Sequence, residues 1–266
     1  MKIEKMHGCG NDFCVLEYKD QIDYSQLAIK VCNRKTGIGG DGMIVVKNNP
    51  LEMIFYNADG SRAPMCGNGI RCFAKYCFDH ALVKQKKLDV LTQAGKKTIE
   101  IITDEPFMCK VHMGMPLFQN SLLHIKDDLP SFGRILKLKE RNITVYTLFM
   151  GTVHTVLFVP DLNSELLNSA EEICNHPLFT QKTNVNFVQV VNRKTIQVKT
   201  YERGVGWTLA CGTGCCASVV TTSKLGFTDL TVQVLLNLGH LTVHVTDKGV
   251  EMIGPATKVF ECEYNE

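Results

Sequence analysis

Hydrophobic and polar positions change period several times along this chain, and the changes mark out two halves built to one plan. Near the start the residues alternate, with Ile3, Lys5 and His7 on one face and Glu4 and Met6 on the other. A glycine turn follows, then a strand over Phe13-Cys14-Val15-Leu16. Leu27, Ala28 and Val31 share one face of a helix predicted over Tyr24–Cys32. The turn Gly37-Ile38-Gly39-Gly40 leads into a buried strand at Met43–Val46, and Leu51–Tyr56 supplies another. After Cys66 the period becomes helical: Ile70, Phe73, Ala74, Cys77, Phe78 and Ala81 recur three and four residues apart. Strand patterns return at Lys87–Thr92, Lys97–Ile102 and Phe107–Val111, and the turn-rich stretch Met115–Pro130 reads as a crossover.

The second half repeats the scheme. Strands are expected at Asn142–Met150, Thr152–Val159, Phe187–Val191 and Thr195–Thr200, with a short helix at Ser164–Cys174. A helix over Gly212–Lys224 buries Ala217, Val220 and Leu225 and stops at Gly226. Strands at Thr231–Leu236, Leu241–Val245 and Thr257–Cys262 complete the pattern. The fold class expected is therefore α+β. The first domain spans 1–114, with 256–266 returning to it, and the second spans 115–255.

Composition narrows the function by exclusion. With 29 basic and 27 acidic side chains the formal net charge is +2, and no basic block suits a nucleic-acid partner. No apolar run reaches the length of a membrane span, and no signal segment opens the chain, so neither membrane nor export is expected and the cytoplasm is the anticipated compartment. The twelve cysteines of this 266-residue chain are scattered, and Cys14, Cys32, Cys109, Cys174 and Cys262 read as small buried hydrophobes rather than a disulfide framework. Cys66, Cys72 and Cys77 are too widely spaced for a structural zinc pair, and Cys211, Cys215 and Cys216 have no local fourth ligand. No metal is expected.

The chemistry concentrates in a signal present twice: Cys66-Gly67-Asn68-Gly69 and Cys211-Gly212-Thr213-Gly214, each opening a predicted helix. Unpaired backbone N–H groups at a helix start favour a thiolate, so either cysteine is more acidic there than a free thiol. The N–H groups near Gly67, Asn68, Gly212 and Thr213 suit a substrate carboxylate, and the glycines let backbone approach closely. One sulfur removing an α-proton while the other returns one to the opposite face would invert an amino acid without a cofactor. The same residues are equally compatible with two glycine-rich turns that merely cap buried helices.

Longer stretches carry a resemblance. Asn57-Ala58-Asp59-Gly60-Ser61-Arg62-Ala63-Pro64-Met65-Cys66-Gly67-Asn68-Gly69 and Glu202-Arg203-Gly204-Val205-Gly206-Trp207-Thr208-Leu209-Ala210-Cys211-Gly212-Thr213-Gly214 resemble the two signatures of the diaminopimelate epimerase family. Met6-His7-Gly8-Cys9-Gly10-Asn11-Asp12-Phe13 and Gly254-Pro255-Ala256 resemble its ends. The resemblance implies two pseudo-symmetric domains, each a β-sheet curled around a central helix, in a homodimer acting on a small amino-acid substrate without a cofactor. It implies that Cys66 and Cys211 transfer the protons and that Asn11, Asn57, Asn184, Glu202 and Arg203 surround the far end of the substrate. The resemblance also gives His154 a catalytic role, since it stands where the family has a histidine close to the first cysteine and would help ionise it, and Glu202 is placed to move a proton near Cys211.

Three departures bear on substrate. Thr152 replaces an amide expected to grip a distal carboxylate, and Gly42 stands where glutamine is usual. Trp207 stands where glutamate is usual and is expected to add an aromatic surface beside an active cysteine, so Thr152 and Trp207 count among the substrate-binding residues. On these grounds the expected substrate is a single-centre amino acid, histidine before others, with diaminopimelate itself as the alternative. An amino-acid-binding protein, a proline-type isomerase and a redox-sensing thiol protein are the further classes weighed.

Overall fold

The computed structural model describes residues 1–265 and divides into two compact units. The first comprises Met1–His112 with the segment returning from Ile253, and the second Met113–Met252. The fold is α+β, and among the described residues no helix is long and apolar enough to cross a membrane.

In the first unit the strands are β1 (Lys2–Gly8), β2 (Asn11–Glu17), β3 (Gly42–Lys47), β4 (Glu52–Asn57) and β5 (Arg62–Ala63), followed by an antiparallel trio β6 (Lys87–Val90), β7 (Lys97–Thr103) and β8 (Met108–Gly114). The first five join the last strand of the chain, Thr257–Glu263, in the order last strand, β1, β2, β3, β4, β5. Helix α1 (Tyr24–Cys32) starts where the Asp23 carboxylate accepts from the amides of Ser25 and Gln26, and it buries Leu27, Ala28 and Val31 against Cys14, Met43 and Val45. Helix α2 (Gly67–Asp79) packs against the same sheet through β1, β2 and β3. Strand β1 is paired on both edges, and its charged residues Glu4 and Lys5 are buried along with its apolar ones. Glu4 Oε1 meets both His80 and Lys258 while its Oε2 is buried without a hydrogen-bond partner among the described residues, and Lys5 pairs with Asp12.

The second unit carries β9 (Phe132–Lys137), β10 (Asn142–Phe149), β11 (Val153–Phe158), β12 (Asn184–Asn192), β13 (Thr195–Glu202), β14 (Gly206–Thr208), β15 (Thr231–Leu235) and β16 (His240–Thr246). They pair in the order β9, β10, β11, β12, β13, β15, β16, with β14 folding back on β13 as a short hairpin. The stretch expected as a crossover contains a single helical turn, α3 (Asn120–Leu123). The predicted Ser164–Cys174 helix is a 3₁₀ turn, Glu165–Ser169, running into α4 (Ala170–Cys174). Helix α5 (Gly212–Lys224) lies against β11, β12, β13 and β16.

Several expectations are corrected. Helix α2 ends at Asp79, and Ala81 is exposed with φ of 53°, outside the apolar stripe. Helix α5 is not one-sided: Ser218, Thr221 and Thr222 are as buried as Val219 and Val220. Their hydroxyls bond back to the carbonyls of Gly214, Ala217 and Val219, so the polar groups are satisfied within the helix. Strands β9 and Gly249–Pro255 went unanticipated, and Cys262 is only half-buried.

Candidate active site

Cys66 and Cys211 occupy one structural role, each in its own unit. Both are the cap residue of a thirteen-residue helix, with extended backbone at φ −125° and ψ 124° for Cys66 and φ −124° and ψ 107° for Cys211. The amides of the first helical turn, from Gly67 and Asn68 and from Gly212 and Thr213, have no helical carbonyl to bond and form an anion-binding end. The last glycine of each motif answers to packing within its own unit rather than to substrate approach. A Cβ at Gly214 would lie 2.3 Å from Asn186 Oδ1, and one at Gly69 would lie 3.2 Å from both Ile44 Cδ1 and Met53 Cε.

In the first unit the Gly69 amide donates to Cys66 Sγ at 3.4 Å, and the sulfur lies 3.7 Å from Asn11 Oδ1. Asn68 Nδ2 donates to the same oxygen at 3.1 Å, while Asn11 Nδ2 donates to Asp41 at 2.5 Å. Asp41 is held by Arg34, which also grips Asp12. Burial pushes the Asp12 carboxyl up, but Arg34 and Lys5 outweigh it and hold the group at about 2. This ionic brace fixes which way the Asn11 amide faces, and so sets the oxygen beside the sulfur. Asn57 sits at the end of β4, where its amide donates to Ser61 Oγ at 2.9 Å. Gly42 pairs with Asn57 across the sheet, and a Cβ there would stand 2.7 Å from the Phe55 ring and the Tyr56 carbonyl. No side chain fits, so its glycine is a packing requirement. Arg71, fully buried one turn into α2, bonds the carbonyls of Gly67 and Pro255.

In the second unit a hydrogen-bonded chain ends at the cysteine. Cys211 Sγ is 3.5 Å from Thr213 Oγ1, which is 3.0 Å from His154 Nε2. His154 Nδ1 is 3.1 Å from Asn186 Nδ2, and Thr200 donates to Asn186 Oδ1 at 3.0 Å. Burial pushes the Cys211 thiol well above its ordinary range and the Glu202 carboxylate adds to the push, while the Thr213 hydroxyl and the Gly214 amide oppose it. Glu202 itself accepts from Thr208 Oγ1 at 2.8 Å. Burial and Glu202 therefore favour the thiol form of Cys211.

His154 departs from the expectation of a group that ionises a cysteine. It is 0% exposed, both ring nitrogens are engaged, and burial together with the Arg203 charge lowers its pKa to about 3. It is a neutral imidazole over the working pH range. Asn184 is buried, donating to the Val153 carbonyl and accepting from the Arg203 amide, so it shapes the turn that carries Arg203. The Arg203 guanidinium bonds Thr152 Oγ1 at 3.0 Å and the Gln181 carbonyl at 2.9 Å, both neutral acceptors.

Trp207 does not join this cluster. Register pairs it with Tyr201, while Glu202 pairs with Gly206 and Thr200 with Thr208, so its side chain lies on the face opposite the cysteine. There it packs edge-on to Tyr201 at 5.5 Å and, with Leu167, Ala170 and Glu171, lines an open cleft of about 430 Å³. Asn186, Thr200 and Thr208 are the site residues that sequence reasoning missed. Asn186 was signalled by its two-residue spacing from Asn184 on an alternating strand whose other face is Val185 and Phe187.

A family model described as diaminopimelate epimerase matches residues 3–118 and 146–259. Similar relatives include the diaminopimelate epimerases of Clostridium perfringens, 42% identical over 99% of both chains, and Caldanaerobacter subterraneus, 40% identical over 99% of both. Among solved structures, a PhzF-family phenazine biosynthesis protein of Bacillus anthracis has a TM-score of 0.75 at 14% identity, covering 100% of this chain and 99% of that one. A probable proline racemase from Agrobacterium radiobacter has a TM-score of 0.73 at 12% identity, covering 99% and 92%. These two likenesses speak to the fold alone. With sequence match running along nearly the whole chain, the protein belongs to the diaminopimelate epimerase family and is an isomerase of the pyridoxal-phosphate-independent racemase and epimerase type.

Proposed function

We propose that this protein is a diaminopimelate epimerase, interconverting LL- and meso-diaminopimelate, with Cys66 and Cys211 each serving one of the two proton transfers at the inverted carbon. The observation that carries the substrate reading is Arg203. Its backbone is fixed by Asn184, its guanidinium bonds only neutral oxygens of Thr152 and Gln181 in the described structure, and its fork of donors suits a second carboxylate. The relatives at 40–42% identity, named diaminopimelate epimerases, favour the same substrate.

The three features that pointed to histidine have structural explanations of their own. Trp207 faces away from Cys211, Thr152 is an Arg203 partner rather than a lost contact, and Gly42 is set by packing. In the mechanism a thiolate takes the α-proton, the helix-start amides hold the carboxylate into which charge spreads, and the thiol of the other cysteine returns a proton to the opposite face. Cys211, whose thiol form is favoured by burial and Glu202, suits the second role in one direction of the reaction.

The test is turnover of LL-diaminopimelate in deuterated buffer, followed by chiral separation and mass spectrometry, with L-histidine in parallel. Rapid appearance of meso product carrying one α-deuterium is expected, together with its loss in Cys66→Ala and in Cys211→Ala. Fast racemisation of histidine with inert diaminopimelate would overturn the substrate, and an active Cys211→Ala enzyme would overturn the mechanism.

A further inference from the structure

The chain Thr200–Asn186–His154–Thr213–Cys211 has a direction, and the direction can be read from which partners are able only to accept. Asn186 Nδ2 lies 3.4 Å from the Thr155 carbonyl, an acceptor, and Asn186 Oδ1 receives the Thr200 hydroxyl at 3.0 Å. The amide is therefore oriented with its nitrogen toward His154 Nδ1, 3.1 Å away. An N–H group pointing at Nδ1 requires that nitrogen to be unprotonated. In a neutral ring the hydrogen is then on Nε2, where it is donated to Thr213 Oγ1 at 3.0 Å. With one lone pair of Thr213 occupied by that bond, its own hydroxyl proton is free to turn to the sulfur 3.5 Å away.

We propose that Asn186 and His154 form a fixed-tautomer support that turns the Thr213 hydroxyl onto Cys211, making Thr213 the donor that stabilises the Cys211 thiolate and His154 a positioning residue that transfers no proton. This rests on the reading of Cys211 as a proton-transfer residue. The bookkeeping is simple. When Cys211 delivers its proton, the S–H bond breaks, a C–H bond forms at the α-carbon, and the electron pair stays on sulfur. The Thr213 O–H bond remains intact throughout and the imidazole neither gains nor loses a proton.

Burial and Glu202 both disfavour the thiolate, so a hydroxyl aimed at the sulfur acts where the charge develops, in the transition state. The close fit beneath the helix start belongs to the same device. Asn186 Oδ1 occupies the space a side chain at position 214 would need, which keeps the amide directly under the Thr213 turn.

Two measurements test this, one of which needs no substrate. Long-range ¹H–¹⁵N spectra of protein labelled at its eight histidines, with the His154 signals assigned by their absence in His154→Gln, should show a neutral ring protonated on Nε2 from pH 8 to pH 5. An Nδ1-protonated tautomer, or an imidazolium in that range, would overturn the proposal.

In turnover, Thr213→Val should lower kcat at least tenfold with KM within about twofold, and Thr213→Ser should return kcat to within about threefold of the parent. His154→Gln, whose amide can still donate to Thr213, should keep activity within about tenfold. Equal damage from the Val and Ser variants, or loss beyond about a hundredfold in His154→Gln, would show instead that the hydroxyl is structural or that the imidazole carries the proton. Failure of the underlying reading gives a different result, an active Cys211→Ala enzyme.

Discussion

Replacing His154 with Gln should remove a defined part of the protein's acid sensitivity. The unperturbed imidazole titrates at about 6.5. In the folded chain burial, reinforced by Arg203, lowers the value to about 3. Between those values the unfolded chain binds a proton that the folded chain refuses, so the unfolded state gains as pH falls. The stability tied to a neutral His154 is complete above about pH 6.5 and drains away as pH drops toward 3. At pH 5 the gap is about 1.5 units, and at about 1.4 kcal/mol per unit the loss relative to pH 8 is about 2 kcal/mol. This figure does not depend on where the folded value lies, provided it is well below 5.

The assay is urea unfolding at pH 8 and pH 5, followed by the emission of Trp207, the one tryptophan of the chain and a residue of the same unit as His154. Other groups titrate in both proteins and cancel in the comparison. The parent should lose about 2 kcal/mol more than His154→Gln between the two pH values. PH dependence that matches within about 0.5 kcal/mol in the two proteins would refute the reasoning, because His154 would then be protonated as easily inside the fold as outside it.

Two further outcomes follow from packing and from register. Gly214→Ala forces a methyl group to within 2.3 Å of Asn186 Oδ1 and should cost about 1–3 kcal/mol in the same unfolding assay, with a fall in kcat, whereas Gly69→Ala meets nothing nearer than 3.2 Å, the flexible ends of Ile44 and Met53, with Cys66 Cβ at 3.3 Å, and should cost less than about 1 kcal/mol; equal effects would undo the distinction between the two glycines. Trp207→Phe should leave KM for the amino-acid substrate within about twofold, since the indole shares a face with Tyr201 and not with Cys211; a shift beyond about fivefold would return the ring to the substrate site.

Much of this could be read from the chain before folding, and the failures have identifiable causes. Helix α1 announced itself through the apolar stripe of Leu27, Ala28 and Val31, and both cysteine-led helix starts were marked by Cys-Gly-x-Gly. Helix α5 was misread as amphipathic because hydroxyls of Ser218, Thr221 and Thr222 count as polar in a periodicity argument yet vanish onto the helix's own carbonyls.

His154 was expected to help ionise the first cysteine on the strength of the family resemblance. Its actual state is decided by Asn186 and Thr213, 32 and 59 residues away, and by complete burial, none of which local spacing reveals. Trp207 was assigned to the wrong face for a smaller reason. Residues 202 to 206 form a tight return, and once β14 pairs with β13 the odd-numbered 207 must lie opposite 201. A strand of three residues gives too little alternation to announce that hairpin.

The buried guanidinium of Arg71 sets an order on biosynthesis. It ties the first turn of α2, at the Gly67 carbonyl, to the Pro255 carbonyl, 184 residues downstream. The strand that follows Pro255 also covers the free edge of β1. The ribosome delivers this segment only after every residue from Met113 to Met252 has been made. The nascent N-terminal unit therefore waits, with one sheet edge bare and the socket around Arg71 open, until the closing segment emerges. A chain stalled or clipped before position 253 would leave the Cys66 helix start without its final anchor, however complete its own residues are.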